Sequence, residues 1–363
     1  MKILTVLGTR PEIIRLSLII PKLDQYATGH VLVHTGQNYT ESLSGIFFRE
    51  LGLRAPDYVL QEQAGTLGSQ LASMFLQMED ILKHEKPDKI LLLGDTNSAL
   101  CALLAERLGY PVVHMEAGNR CFDLTVPEEK NRRVIDAISS INMPYTEQSR
   151  QHLLREGVPS QRIILTGNPI YEVMRYYEPQ IMASGILKQL QLEPDQYVLV
   201  TAHRAENVDI PEHLLAILGG LNRVAEEHGN PVICSIHPRT AARIAQHPPM
   251  AVHPLVEFHR PFGFFDFVRL ERHALCVLTD SGTVQEECCI MHVPTVTMRR
   301  TTERPETIDC GSNIVSGLDA ASIARSASLM VKLSRVWERP NGYLAEDVSD
   351  KVVKFLLGGK LNV

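Results

Sequence analysis

The chain has 363 residues, carries a net charge of −6, and is 44% hydrophobic and 21% charged. At about 150 residues per domain this suits two globular domains with cores of their own. It excludes a general nucleic-acid binder, which needs a basic surplus against phosphate, and no apolar run approaches the roughly 18 residues of a membrane span. The N-terminus MKILTVLGTRPE begins like a secretion signal, but Gly8, Arg10, Pro11 and Glu12 interrupt the apolar run too early. Seven cysteines, without a Cys-x-x-Cys pair, suit free thiols in a reduced, cytoplasmic, soluble protein.

In chain order, runs rich in Val, Ile and Leu at 2–7, 30–35, 89–94, 111–116 and 162–166 read as strands. So do 197–202, 231–236, 274–279 and 294–298. They lack polar alternation, the mark of parallel strands covered on both faces. Helical patterns lie between them at 97–108, 147–156, 212–228, 284–291 and 320–333. The βα succession pauses after Gly167 and restarts at Tyr197, which predicts an α/β chain of two doubly wound, Rossmann-like domains. The boundaries are drawn at 1–170 and 171–344. The stretch after Ala345 carries Val348, Val352, Phe355 and Leu356 on one stripe. It is expected to pack back on the N-terminal domain as a helix over about 345–363.

Ligands of open α/β sheets lie beyond the carboxyl ends of the strands, so the residues just after each strand are the candidates. The first strand runs into Gly8-Thr9-Arg10-Pro11-Glu12, where Arg10 projects from a helix start and suits an anion. A single glycine there is not a Gly-x-Gly-x-x-Gly fingerprint, so no nicotinamide or flavin cofactor is expected. Asp95 and Glu116 close two later strands. Asp95 reads equally as a helix N-cap, whereas Glu116, ending an apolar strand, needs a partner or a purpose. In Pro127-Glu128-Glu129-Lys130-Asn131-Arg132 adjacent helical side chains diverge by about 100°, so one acid of the pair faces the site. First-turn acids also simply complement a helix dipole.

In the second half His203 and His237 end strands, where a histidine can donate to phosphate or move a proton near neutral pH. Ser281-Gly282-Thr283 offers amides and hydroxyls at a helix start for a pyrophosphate, while Asp280-Ser281-Gly282 reads equally as an ordinary N-cap. Glu287, further along that helix, can accept two ribose hydroxyls. The run Arg299-Arg300-Thr301-Thr302-Glu303-Arg304 concentrates cations into a second anion clamp. Fourteen histidines form no His-x-x-x-His or His-Glu-x-x-His pattern, so no metal is expected. An acid-rich half and an anion-binding half point to a nucleotide-sugar enzyme.

These motifs, in this order, resemble the non-hydrolysing UDP-N-acetylglucosamine 2-epimerases. They are GTRPE at 8–12, GDT at 94–96, EAG-R at 116–120, PEE-NR at 127–132, AHR-EN at 202–207, DSG-QEE at 280–287 and TTERPE at 301–306. The resemblance implies a glycosyltransferase-B fold with two Rossmann-like domains facing across a cleft, and an isomerase acting on a UDP-sugar. It implies no cofactor, and a homodimer is expected. By the same resemblance Asp95, Glu116, Glu128 and His203 take catalytic roles. Arg10, Ser281, Gly282, Thr283, Glu287 and Arg304 contact UDP, with His237 also binding substrate. Phe267 looks like the aromatic bordering the uracil, and Arg15 stands where the family has a lysine, keeping the charge but not the shape. The loop between Glu116 and Glu129 is shorter than the family's. In this the chain is similar to the branch acting on modified UDP-acetamido sugars for surface polysaccharides, including UDP-2,3-diacetamido-glucuronate and 6-deoxy acetamido sugars. The implied mechanism is elimination of UDP to a 2-acetamidoglycal and re-addition. A hydrolysing epimerase releasing UDP and free sugar, and a transferase of the same fold, are the alternatives.

Overall fold

The computed structural model describes residues 1–36, 44–61, 65–236, 238–246 and 252–358. It holds two six-stranded parallel sheets. The first contains β1 (Lys2–Leu7), β2 (Gly29–His34), β3 (Tyr58–Val59), β4 (Lys89–Leu93), β5 (Val112–Met115) and β6 (Ile141–Met143), in the order β3-β2-β1-β4-β5-β6. The second contains β7 (Val198–Ala202), β8 (Val232–Ile236), β9 (Val256–His259), β10 (Cys276–Thr279), β11 (Thr295–Thr297) and β12 (Asn313–Val315), in the order β12-β11-β10-β7-β8-β9. Both are Rossmann-like. Strand order reverses between β1 and β4 in one sheet and between β10 and β7 in the other.

Burial on both faces explains the apolar strands. Alternate residues of β7 divide between two clusters. Val198, Val200 and Ala202 pack with Ile217 and Leu221 of the helix Pro211–His228. Tyr197, just before the strand, and Leu199 within it pack with Leu270, Val284 and Cys288. Each side chain points to the face opposite its neighbour's, so a strand covered on both sides must be apolar throughout.

Four strands are shorter than the pattern reveals. β3, β6, β9 and β12 span two to four residues and include Asn142, Glu257 and Asn313. Too few positions are present for a periodicity to register. Conversely, the expected strand at 162–166 is absent, since only Ile163 bridges to Asn142. Ile164 and Thr166 donate to the carbonyls of Asn142 and Pro144 at 2.9 and 3.2 Å. Pro144 has no N–H with which to extend the ladder.

The chain divides into two compact units, Met1–Arg175 with Asn341–Val363, and Tyr176–Pro340. The helix Val348–Gly358 buries Val348, Val352, Val353 and Leu356 in the first unit. The Lys89 ammonium, only 3% exposed as a residue, donates to the carbonyl of Leu356 at 2.7 Å and to that of Phe355 at 3.3 Å. A cation is thus placed against the negative end of the helix. At its other end Ser349 N donates to Glu172 at 2.8 Å. Lys89→Met keeps the buried stem and removes the donor, so it is expected to destabilise the protein by about 1–3 kcal/mol in urea unfolding. An unchanged midpoint would mean that the C-terminal helix does not depend on this cap.

Candidate functional site

The carboxyl ends of β1, β4 and β5 lie level, since Leu93 pairs with Met115 and Thr5 with Leu91. The residues just beyond them share one rim of the sheet at its switch point, where open α/β folds bind ligands. Beyond β1, Gly8 leads into the helix Arg10–Leu16. A Cβ on Gly8 would lie 2.2 Å from Ser98 Oγ and 2.3 Å from Thr35 Oγ1, so only glycine lets these segments approach. Glu12 ties the rim together. Its carboxylate accepts from the amide of Gly8, from Thr9 N at 3.0 Å and from Thr96 Oγ1 at 2.8 Å. Burial pushes its pKa up to about 7, against the pull of those donors. Half-buried Arg10 lies 5.8 Å from the Phe47 ring centroid, and burial lowers its pKa. Among the described residues it has no acidic partner, which leaves its charge for an anion.

The expected acids are held by cations from other elements. Buried Arg15 pairs with Glu116 and lies over the Tyr145 ring at 5.6 Å. Glu116 itself adopts φ +69°, uncommon for a residue with a Cβ. Arg132, 2% exposed, donates to Asp95 Oδ2 at 2.6 Å and to Glu129 Oε2 at 2.8 Å. Glu129 also takes the Cys121 amide at 3.0 Å and is buried, whereas Glu128 is half-buried in the first turn of the helix Pro127–Ile138. Of the adjacent acids, Glu129 is therefore occupied inside the protein. Arg132 was not singled out from sequence, although its three-residue spacing from Glu129 was visible.

In the second unit Thr279 pairs with Thr201, so the residues after β10 and β7 adjoin across the other switch point. Asp280 lies between the two tips and is fully buried. Its Oδ2 accepts from His203 N and Arg204 N at 2.9 Å and from Asn207 Nδ2 at 3.0 Å. Its Oδ1 lies 3.2 Å from His203 Nδ1. Burial would raise its pKa, but His203, the Arg204 amide and the Arg204 charge hold it well below the usual carboxylate range. His203 is 39% exposed at its side chain, with Nε2 as the edge left for a ligand. Sequence reasoning took Asp280 for part of a cap. Ser281 is the cap instead, at φ −91° and ψ 130°, with no side-chain cap bond, so its hydroxyl remains available.

The helix Gly282–Met291 presents its first amides beside that hydroxyl. A Cβ on Gly282 would stand 2.7 Å from Glu303 Oε1, which explains the glycine. Glu303 receives Arg299 at 2.6 Å and Arg204 at 2.9 Å, while buried Arg304 pairs with Glu286. Arg299 and Arg304 of the expected clamp are thus matched to acids that hold them in place, whereas Arg300 is exposed. Thr283 is half-buried in the helix's first turn. Glu287, 3% exposed, faces fully buried Glu271. Burial, then the charge and hydrogen bond of Glu287, push the Glu271 carboxyl well up. Phe267 is half-buried against Leu270 and Val284, and His237 lies outside the described residues. Among the described residues no group of three or more His, Cys, Asp or Glu is placed to hold a metal, and no helix is long and apolar enough to cross a membrane.

Comparison with known proteins places the chain in a family. Residues 22–357 match the family model described as UDP-N-acetylglucosamine 2-epimerase. The chain is 39% identical over 370 residues to the UDP-N-acetylglucosamine 2-epimerase of Methanocaldococcus jannaschii, covering 99% of this chain and 100% of the relative. It is 36% identical over 332 residues to the UDP-2,3-diacetamido-2,3-dideoxy-D-glucuronate 2-epimerase of Pseudomonas aeruginosa, covering 90% of this chain and 91% of that one. The crystal structure of the M. jannaschii UDP-GlcNAc 2-epimerase in complex with UDP-GlcNAc and UDP matches with a TM-score of 0.91 at 37% identity, over 99% of this chain and 100% of that one. The two Rossmann-like units are thus of the glycosyltransferase-B type.

The depressed pKa of Asp280 makes its contribution pH-dependent. It is complete above the ordinary carboxylate pKa and is lost as pH falls through the lower, folded value. Asp280→Asn is expected to cost about 3 kcal/mol at about pH 7, with the gap to the unsubstituted protein narrowing below about pH 4. An equal gap at both extremes of a urea–pH series would rule out the charge as the cause.

Proposed function

We propose, since the chain belongs to the UDP-N-acetylglucosamine 2-epimerase family and is an isomerase of that type, that it inverts C2 of a UDP-2-acetamido sugar by eliminating UDP and adding it back. The observation that carries this reading is the pair of furnished switch points. One offers Asp95 and Glu116 on the same rim as Arg10, which has no acidic partner among the described residues, with Glu128 in the first turn of the helix Pro127–Ile138. The other offers an anion-binding helix start beside the His203–Asp280 pair.

C2 of a pyranose is not adjacent to a carbonyl, so its proton is a poor acid. Departure of UDP builds positive charge at C1, and the neighbouring C2–H becomes acidic. Donors already aimed at the leaving pyrophosphate lower the barrier without reorganising. Arg10, Ser281, Gly282, Thr283 and Arg304 take that role in this reading, and His203 offers Nε2 to a phosphate or to the ring oxygen. Loss of the C2 proton gives a 2-acetamidoglycal, and reprotonation from the opposite face inverts the centre. Two faces call for more than one acid or base, which suits Asp95 and Glu116 on one rim together with Glu128. Glu287 accepts the ribose hydroxyls and Phe267 borders the uracil.

A more specific reading concerns the hexose. Phe122 and Leu124 expose 62% and 55% of their surface in the short loop before Glu128, and Phe122 adopts φ +57°. It is the shortness of this loop that suits a hexose with a substituent at C3 or C6, as in the substrate that names the P. aeruginosa relative. The enzyme then works on precursors of surface polysaccharide in the cytoplasm, where its free cysteines stay reduced.

Turnover in deuterated water should place solvent deuterium at C2, read by NMR of the product. Inversion without exchange would point to transient oxidation and end the elimination reading. A C3- or C6-modified UDP-acetamido sugar should show the higher kcat/KM, and parity with UDP-N-acetylglucosamine would remove the case for a modified hexose. Glu287→Ala should weaken UDP by about ten- to a hundredfold in calorimetry. Glu128→Gln should leave UDP affinity intact while C2 exchange drops by about a hundredfold or more. Normal affinity in the first variant, or near-normal exchange in the second, would reverse the assignment of roles.

A further inference from the structure

Below the acid-bearing rim lies a charged group that the proposed reaction leaves unused. His114, within β5, is fully buried. Its Nδ1 lies 2.9 Å from Asp136 Oδ1 and its Nε2 lies 2.8 Å from the carbonyl of Gly94. Neither oxygen can donate. A neutral ring would turn a lone pair on one of them, so the geometry requires a proton on both nitrogens. The remaining Asp136 oxygen accepts from Gly118 N at 3.1 Å and pairs with Arg120 at 2.7 Å. Arg120 in turn grips Glu156 with Nε and Nη2, at 2.9 and 2.5 Å. The four side chains are two cations and two anions, so their charges cancel within the fold.

The backbone groups they hold flank the candidate acids. Gly94, at φ +82°, immediately precedes Asp95. Gly118, at φ +81°, follows Glu116, itself at φ +69°, by two residues. The two glycines take this conformation freely, but Glu116 keeps it only where its surroundings impose it. The imidazolium fixes one tip through a carbonyl, and Asp136 fixes the next through an amide. We propose that His114 and Asp136 are positioning residues, a buried ion pair that joins the tips of β4 and β5 and sets Asp95 and Glu116 for proton transfer. The proposal rests on the reading of those two acids given above.

Among the described residues, the charged or titratable groups around the ring come from several elements. Asp136 comes from the helix Pro127–Ile138 and Glu116 from the end of β5. Arg120 reaches Asp136 from the following loop, and His152 of the helix Glu147–Arg155 meets the Gly118 carbonyl at 2.9 Å. Burial would drive the proton off the imidazole, but the Asp136 hydrogen bond and charge, with the Gly94 carbonyl, hold its pKa above the ordinary value.

The test has a spectroscopic arm and a kinetic arm. A long-range proton–nitrogen spectrum of the unliganded protein at about pH 8 should show both ring nitrogens of His114 protonated, when a free histidine is neutral. His114→Gln can satisfy one acceptor but not both, and should lower kcat by about ten- to a hundredfold through misplaced acids. UDP affinity, which in this reading rests on Arg10 and on residues of the other unit, none of them in contact with His114, should stay within about twofold. Asp136→Asn should act in the same direction, and the double variant should be no worse than the worse single one, because the residues act as one pair. A neutral His114 ring would overturn the proposal. So would folded His114→Gln turning over within about threefold of the unsubstituted protein, or losing UDP affinity as steeply as kcat. The ring spectrum needs neither a variant nor a substrate. Failure of the assigned reaction would instead appear as unsubstituted protein that exchanges no hydrogen at C2 of any UDP-sugar.

Discussion

Where strand order reverses in a parallel sheet, the connections on either side leave toward opposite faces of the sheet. The strand ends at that point are left with no chain crossing over them. Both sheets here contain one such reversal, between β1 and β4 and between β10 and β7. The side chains that carry the proposed chemistry follow from those four tips and their neighbours. Gly8, Arg10 and Asp95 flank the first gap, with Glu116 one strand further along. His203 and Asp280 face each other across the second. Glycines at both gaps allow approaches that a Cβ would block.

The rims carry buried charge in unusual concentration. Arg15 holds Glu116, Arg132 holds Asp95 and Glu129, Arg304 holds Glu286, and Arg299 shares Glu303 with Arg204. Removing such pairs from water costs several kcal/mol per ion, so they are weak contributors to stability even when well formed. Their value lies in direction. An arginine paired with a carboxylate fixes where that acid sits, and a site of several acids needs each one fixed. Arg10 differs by having no acidic partner among the described residues, which is why an anionic ligand is the natural complement to its charge.

Different parts of the site were legible to different degrees. The strand-tip positions of Asp95, Glu116 and His203 could be read because an apolar run that ends in a polar residue marks its own boundary. The choice between Glu128 and Glu129 could be posed but not made. Their side chains diverge around the helix, and only the Cys121 amide and Arg132 show that Glu129 is the one held inside. Arg299 and Arg304 looked like available cations because Glu303 and Glu286 were not recognised as their partners. Asp280 looked like a cap because its real partner, His203, lies far back along the chain. The strand expected at 162–166 shows the converse limit, since an apolar run cannot pair fully beside a proline.

The sequence by itself determined the alternation of strands and helices, the parallel sheets, and the chain positions at which polar residues emerge from apolar strands. These are local properties, written in hydrophobic period and in the placement of glycine and proline. Tertiary structure decided which charge meets which. Arg15 and Glu116 are 101 residues apart, and the Asp280 carboxylate accepts from the amide of His203 77 residues earlier. Lys89 caps a helix through carbonyls 266 and 267 residues beyond it. Hydrophobic pattern selects the face of an element, but a pairing of charges depends on register and crossover, and these exist only once the sheets have formed.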